Sequence, residues 1–173
     1  HTVPTPHGGG VAIALTWFAG LIYLHTTEQI ETDLFYALMA GVIIALVSYL
    51  DDLYGLNPKT RFLVQLFTAL VGLYFLGGLN ILDFGLFTIE NPIINNTIAT
   101  IAIIWFINLY NFLDGIDGYA GSEAVFLGTA GYLFFNNPLF LVLIVSVLGF
   151  LIWNWHKAKI FMGDVGSTLL GYT

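Results

Sequence analysis

The sequence contains no cysteine and few charged side chains. The lack of cysteine excludes disulfides and cysteine-ligated metal sites within this stretch of chain. Charged residues make up only 9% of the chain and hydrophobic residues 58%, whereas soluble domains carry about a quarter charged residues. A chain of this composition cannot cover a water-facing surface. The composition therefore indicates a polytopic membrane protein.

Polar segments divide the chain into long apolar runs. In a helix, roughly 20 apolar residues cross a bilayer core about 30 Å thick. The runs lack the alternation of strands, and backbone inside hydrocarbon must satisfy its own hydrogen bonds, so helices are expected. We predict an all-α, polytopic integral membrane helix bundle with about six spans plus the start of a seventh. The predicted spans are 9–25, 34–50, 62–82, 97–113, 119–135 and 138–155, and the seventh begins near Ser167.

Positive charge lies on one predicted side of this bundle. The lysines and arginines of the sequence are Lys59, Arg61, Lys157 and Lys159. The loops on the opposite side, around residues 26–33 and 83–96, carry acids but neither lysine nor arginine. The positive-inside rule makes the cationic side cytoplasmic. With a formal net charge of −7, we expect contact with membrane lipid and no nucleic-acid partner.

Acidic residues collect on the same side, at predicted helix ends. They are Asp51, Asp52, Asp114, Asp117 and Asp164. Ionisable groups at membrane depth are costly and indicate function. Two carboxylates about 4 Å apart repel by roughly 4 kcal/mol at an effective dielectric near 20, so converging acids need a cation. Oxygen ligands without cysteine favour Mg²⁺, with Mn²⁺ as the alternative, and Mg²⁺ in turn favours a phosphate substrate.

Each acid also has a structural interpretation when it is taken alone. The pair Asp51 and Asp52 could close a helix, and Asp114 and Asp117 could form turns beside glycine. Asp164 could cap the next helix. Their joint placement on one face favours a site over five separate structural roles.

Three further features have two interpretations each. Glu123, about one turn into its span, is either a satisfied buried polar group or a site residue. The glycines of PHGGGVAIA either expose N–H groups to an anion or allow close helix packing. Lys59 and Arg61 either anchor the topology or bind a lipid phosphate.

The chain contains four motifs in order: HTVPTPHGGGVAI, SYLDDLYGLNPKTRFLVQ, NLYNFLDGIDGYAGSEA and KIFMGDVGSTLLGY. Their order and spacing resemble the polyprenyl-phosphate N-acetylhexosamine-1-phosphate transferases, which include phospho-MurNAc-pentapeptide translocase. The GGG and Gly-Ser-Glu forms are most similar to the bacterial O-antigen branch of lipopolysaccharide synthesis. The resemblance implies transfer of a sugar-1-phosphate from a UDP-N-acetylhexosamine to undecaprenyl phosphate. It also implies UMP release, Mg²⁺ dependence, and an active site on the cytoplasmic face of the bacterial inner membrane.

The same resemblance implies roles for individual residues. Asp164 matches the principal metal ligand, with Asn111 nearby. Asp51 and Asp52 match paired acids that activate the lipid phosphate or orient the metal. Asp114 and Asp117 match acids at the nucleotide end of the site. The candidates for substrate binding are Asn108, Asn111, Phe161 (as the aromatic that stacks on uracil), Lys59 and Arg61.

Three alternative functions were considered, and each requires different features in the sequence. A CDP-alcohol phosphotransferase needs Ala-Arg after the second Asp-Gly, where this chain has Tyr-Ala-Gly-Ser. A cation transporter using intramembrane acids needs those acids near the bilayer midplane. A relative without catalysis would act as a scaffold, although the acids are all present.

We interpret residues 1–173 as a fragment of a single transmembrane catalytic domain, truncated at both ends. No methionine begins the sequence, and it stops just after a new apolar segment starts. In the family a histidine-rich cytoplasmic loop follows further downstream, and dimers occur. The resemblance thus allows a homodimer, but these residues indicate neither the oligomeric state nor an interface. The sequence does not identify the hexosamine.

Overall fold

The computed structural model describes residues 5–173, so His1 and the start of the first motif lie outside the described residues. The helices are α1 (Gly9–Thr26), α2 (Thr32–Met39), α3 (Gly41–Tyr54), α4 (Pro58–Phe75), α5 (Pro92–Leu113), α6 (Tyr119–Phe135), α7 (Pro138–Asn154) and α8 (Asp164–Tyr172). Two short strands, β1 (Leu82–Asp83) and β2 (Thr88–Ile89), form an antiparallel hairpin between α4 and α5.

Within residues 5–173, three helical segments are long and apolar enough to cross a bilayer. They are α1, the segment Thr32–Tyr54 that contains α2 and α3, and α5. The helix α7 is apolar but shorter. The predicted helical membrane architecture is confirmed in this coarser form, whereas the count of six spans stays a prediction.

Three helices begin with an asparagine followed by proline. The Asn57, Asn91 and Asn137 side chains each accept a hydrogen bond from the N–H two residues ahead. Asparagine satisfies a free N–H of the first turn, and proline suits the first helical position because it has no N–H to lose. These caps start α4 and α5 at Pro58 and Pro92, several residues before the predicted positions 62 and 97.

The predicted extent of the third span was wrong, and a short hairpin interrupts the otherwise helical fold between α4 and α5. We predicted helix to residue 82, but α4 ends at Phe75, and the next glycines, Gly77 and Gly78, have φ of 74° and 69°. This left-handed conformation is open to glycine and ends the helix. The hairpin follows, with Leu82 opposite Ile89. Strands of two residues are too short to show an alternating pattern.

Two other predicted boundaries also need correction. The second span is divided at Ala40 into α2 and α3, and α3 continues through Asp51 and Asp52 to Tyr54 instead of ending at residue 50. The last helix begins at Asp164 rather than near Ser167, and Gly163 occupies the cap position that we considered for Asp164. Asp164 is therefore in the first helical turn, where the helix dipole favours a negative charge.

The short helix α8 is the centre of the bundle. It packs against α1, α3 and α5, and residues 165–171 are all buried. Glycines make these approaches close: a Cβ on Gly10 would lie 2.2 Å from the backbone nitrogen of Gly166. The N–H groups of Gly9 and Gly10 donate to the carbonyls of Phe161 and Met162. The glycine-rich entrance of α1 therefore packs against α8 and its preceding loop, and these N–H groups are not free for an anion.

Candidate active site

Four of the predicted acids converge at one end of the bundle. Asp51 and Asp52 lie near the end of α3, Asp114 directly follows α5, and Asp164 begins α8. The Asp52 Oδ1 accepts a hydrogen bond from the Asp164 N–H at 3.2 Å. Asp114 accepts a hydrogen bond from the Gly163 N–H and is close enough to Asp164 and Asp52 for electrostatic repulsion. Three helices thus bring together carboxylates that are far apart in sequence.

Arg61 of α4 lies between two of these acids. Its Nη1 is 3.1 Å from Asp51 Oδ2 and 3.8 Å from Asp164 Oδ2. The other Asp51 oxygen accepts a hydrogen bond from the Leu56 N–H at 2.6 Å. The Asp51 side chain is only 7% exposed, whereas that of Arg61 is 44% exposed. A buried carboxylate needs such partners, so Asp51 is fixed in place while the guanidinium still faces solvent.

Asn111 connects α5 to α8. Its Nδ2 donates one hydrogen bond to Asp164 Oδ1 and another to Ser167 Oγ, both at 2.9 Å. An ionised carboxylate can only accept, so these contacts fix the orientation of the amide. With both amide protons in use, the Asn111 oxygen is the atom left to face a ligand.

A second amide residue of α5, Asn108, pairs with Gln65 of α4. The Asn108 Nδ2 donates to Gln65 Oε1 at 2.8 Å, and the Gln65 Nε2 donates back at 3.4 Å. Gln65 ends the second sequence motif but had no predicted role. Its position four residues after Arg61 was the signal that could have found it, because residues four apart share a helix face.

A polar cavity of about 180 Å³ lies between these helices. Its lining contains residues predicted for the site and others that sequence reasoning missed: Ser48, Asp51, Pro58, Arg61, Phe62, Gln65, Asn108, Asn111, Asp164 and Thr168. An apolar groove of about 620 Å³ adjoins it between α4 and α5 and shares Phe62 and Asn108 with it. The polar cavity and the apolar groove therefore lie side by side.

The two aspartates of DGIDG lie in different surroundings. Asp114 faces the acidic cluster, whereas Asp117 Oδ2 accepts a hydrogen bond from the Ala158 N–H at 3.0 Å. Asn154 also connects these loops, because its amide accepts from the Gly118 N–H and donates to the Ile160 carbonyl. Asp117 therefore contacts the loop before α8.

Asp52, Asp114 and Asp117 do not line the polar cavity, and neither do three other candidates. Lys59 is exposed in the first turn of α4. Phe161 is half-buried with its ring centroid 5.2 Å from that of His7. Glu123 of α6 has a buried Oε2 without a hydrogen-bond partner among the described residues.

Burial changes the acidity of Asp114. Loss of contact with water, and to a smaller extent repulsion by the nearby carboxylates of Asp164 and Asp52, raises the pKa of its carboxyl from the ordinary 3.8 to about 7. The hydrogen bond from the Gly163 N–H opposes this rise. Asp114 can therefore change protonation state near neutral pH.

The oxygen donors of the cluster fit a magnesium ion. Asp164 and Asn111 supply carboxylate and amide oxygens beside Asp52. Within residues 5–173, no three acidic, histidine or cysteine side chains form a protein-only metal cage. Mg²⁺ commonly binds through one or two carboxylates together with water and substrate phosphates. The donor set suits that mode of binding.

Comparison with known proteins identifies relatives that are named as polyprenyl-phosphate or phospho-N-acetylmuramoyl-pentapeptide transferases. The chain is 34% identical, over its whole length, to a probable undecaprenyl-phosphate N-acetylglucosaminyl 1-phosphate transferase of Bacillus subtilis, covering 50% of that protein. It is 31% identical to a decaprenyl-phosphate N-acetylglucosaminephosphotransferase of Mycobacterium leprae, over 99% of this chain and 49% of that one. It is also 34% identical to a phospho-N-acetylmuramoyl-pentapeptide-transferase of Thermotoga petrophila, over 96% and 57%.

The chain spans about half the length of the curated relatives it matches. The family model for glycosyl transferase family 4 matches residues 34–173, which include the acidic cluster, both asparagines and the final motif. The apolar helices of this chain, together with the match to the family model, indicate an integral membrane protein. The chain belongs to glycosyl transferase family 4, as its four motifs predicted.

Proposed function

We propose that the full-length protein transfers an N-acetylhexosamine-1-phosphate from a UDP-sugar to undecaprenyl phosphate and releases UMP. The observation that carries this proposal is that the polar cavity and the apolar groove lie side by side, with Phe62 and Asn108 lining both. A lipid phosphate has a charged head and a long apolar tail, and this surface offers a matching environment for each. The names of the relatives support the same class of acceptor.

The acceptor lipid would bind with its phosphate near Arg61 and its chain between α4 and α5. The guanidinium is partly exposed and lines the polar cavity. Guanidinium groups suit phosphate because several N–H donors lie in one plane. The groove beyond Phe62 is lined almost entirely by apolar side chains, including Leu66, Leu70 and Ile104. Isoprene units would be shielded from water there.

The nucleotide sugar would approach the acids from the other side, between Asp114 and Asp164. Asp164 and Asn111 would hold Mg²⁺, with Asp52 beside them. When bound, Mg²⁺ would offset the negative charge of the diphosphate and polarise it. Because both substrates bring phosphates to an acidic cluster, charge compensation by Arg61 is equally necessary. Positioning and electrostatic stabilisation supply most of the rate in phosphoryl transfer.

The proposed chemical step is a direct displacement. A phosphate oxygen of the lipid forms a bond to the β-phosphorus of the UDP-sugar. The bond from that phosphorus to the bridging oxygen breaks, and UMP leaves with the electron pair. Arg61 and the Leu56 N–H occupy both oxygens of Asp51, whereas Asp52 Oδ1 accepts from the Asp164 N–H, so Asp52 Oδ2 is the oxygen of the pair proposed to accept a proton from the lipid phosphate.

A two-step route through an aspartyl-phosphosugar is the alternative, and it predicts a covalent adduct. The enzyme would be incubated with UDP-sugar labelled at the β-phosphate, without lipid acceptor, and then denatured. The direct route predicts no protein-bound label. Label released by hydroxylamine, and absent from the Asp52→Asn variant, would replace the direct route with the two-step route.

The decisive experiment uses the full-length protein in membranes with undecaprenyl phosphate and either Mg²⁺ or Mn²⁺. UMP and lipid-linked sugar would be followed with UDP-GlcNAc, UDP-GalNAc, UDP-QuiNAc and UDP-FucNAc as donors. We expect metal-dependent product from one donor, assembled on the cytoplasmic face as the first step of a cell-envelope polysaccharide. Asp164→Asn should abolish the product, whereas Asp33→Asn, in α2 outside the cluster, should not.

Folded protein without product from any donor would contradict the proposal, and ion flux would be measured next.

A further inference from the structure

The hairpin between α4 and α5 lies at the end of the bundle opposite the acidic cluster. The helix α5 contains 22 residues, which rise about 33 Å at 1.5 Å per residue. This length matches a bilayer core about 30 Å thick. The hairpin precedes Pro92 and the acidic cluster follows Leu113, so the two features lie near opposite faces of the bilayer.

Two asparagines of α5 hold the base of the hairpin. The fully buried Asn95 donates through Nδ2 to the carbonyls of Asn80 and Ile89, at 3.0 and 2.9 Å. Asn96 Oδ1 accepts a hydrogen bond from the Leu79 N–H at 3.0 Å. Since these contacts join both ends of the hairpin to the first turns of α5, the height of the hairpin relative to the membrane is set by that helix.

The tip of the hairpin, residues 84–87, is apolar and uncovered. Leu86 is 95% exposed, Phe87 60% and Phe84 53%. The two phenylalanine rings stack with centroids 5.0 Å apart. Gly85 has a φ of 77°, and its N–H donates to Asp83 Oδ1 at 2.8 Å, which fixes the turn. The tip therefore presents an ordered apolar surface beside the membrane.

We propose that this tip inserts into the membrane interface on the face opposite the acidic cluster, with the lipid surface itself as its partner. Aromatic and aliphatic side chains on a rigid loop suit the interfacial region, where the backbone can still bond to water. The strands carry Asp83, and no lysine or arginine occurs between residues 62 and 156. The insertion of the tip is therefore driven by its apolar side chains and requires no anionic lipid.

The absence of cysteine from this chain permits a direct test. Leu86→Cys in the full-length protein, with any cysteine outside this chain replaced, would carry a nitroxide spin label in phosphatidylcholine vesicles. Accessibility to oxygen, which concentrates in lipid, would be compared with accessibility to a water-soluble nickel chelate. Thr88→Cys, two residues away on β2 and exposed, is the matched water control. Leu15→Cys, 68% exposed on the membrane-spanning helix α1, is the hydrocarbon control.

We expect the label at position 86 to favour oxygen over the nickel chelate, at a depth between the two controls. Replacing a third of the lipid with phosphatidylglycerol should leave this depth unchanged. A label at position 86 as accessible to nickel as that at position 88 would overturn the proposal. Protection from both reagents would also overturn it, because a second copy or another part of the chain would then cover the tip.

Discussion

Asn111 donates a hydrogen bond to Asp164 across the contact between α5 and α8, with 2.9 Å between Nδ2 and Oδ1. The two residues are 53 positions apart. The contact orients the carboxylate that we propose as a magnesium ligand and leaves the amide oxygen facing the same region. Its loss therefore affects both metal ligands together.

Replacing Asn111 should weaken metal-dependent activity. Asn111→Leu removes the amide oxygen and the donor to Asp164, so we expect activity to fall roughly 10–100-fold and the Mg²⁺ concentration for half-maximal rate to rise. The measurement is transfer rate against Mg²⁺ concentration. Thr129→Ala, an exposed residue of α6, is the control. An unchanged metal dependence in Asn111→Leu would exclude the proposed role of this amide.

Replacing Arg61 with a neutral residue should leave the buried Asp51 carboxylate without its ion-pair partner. Arg61→Met is expected to lower the free energy of unfolding by about 1 kcal/mol, a modest value because the guanidinium is partly exposed. Asp51→Asn should reduce the penalty in the double variant, since the neutral amide needs no counter-charge. Thermal unfolding of all four proteins in detergent measures the coupling. Additive changes in the double variant would show that the ion pair contributes nothing to stability.

The pair formed by Gln65 and Asn108 lies where the polar cavity meets the apolar groove. Gln65→Leu removes both contacts of Asn108 with α4 and leaves only its hydrogen bond to the Ile104 carbonyl. We therefore expect the KM for undecaprenyl phosphate to rise about tenfold, equivalent to roughly 1.4 kcal/mol. The KM for the UDP-sugar should change little. Gln29→Leu, exposed at the other end of the bundle, is the control. Equal rises in both KM values would contradict an acceptor-specific role.

The raised pKa of Asp114 predicts a dependence of stability on pH. Because the pKa in the folded state is about 7, above its ordinary 3.8, the folded protein binds this proton more tightly than the unfolded chain. The stability due to protonated Asp114 is therefore complete below pH 3.8 and is lost as the pH rises through about 7.

Unfolding temperatures between pH 5 and pH 8, with EDTA present, measure this dependence. The wild type should lose more stability over that range than Asp114→Asn, whose amide cannot ionise. Added Mg²⁺ should reduce the loss if it compensates the carboxylates. Parallel curves for the two proteins would mean that Asp114 does not titrate in this range.

Much of the architecture could be predicted from the sequence because composition and periodicity report the surroundings of each segment. The apolar runs predicted helices, and the polar breaks between them placed Asp51, Asp114 and Asp164 at helix ends on one side. The asparagine–proline pairs also indicate helix starts, but the predicted starts of α4 and α5 followed the apolar runs alone. The glycine pair at 77 and 78 also indicates the end of α4, although the predicted span ran past it. Strands of two residues could not be predicted, since they depend on local backbone conformation.

The sequence by itself determined the membrane class, the family and the set of acids that share one face. Only the tertiary structure decided which of these side chains meet. In the folded protein Asp114 and Asp117 have different surroundings, and Gln65 pairs with Asn108. The glycines of α1 pack against α8 and the loop before it. The physical reason is that periodicity shows which face of a helix is buried, whereas contacts between helices depend on their crossing geometry, which no single segment encodes.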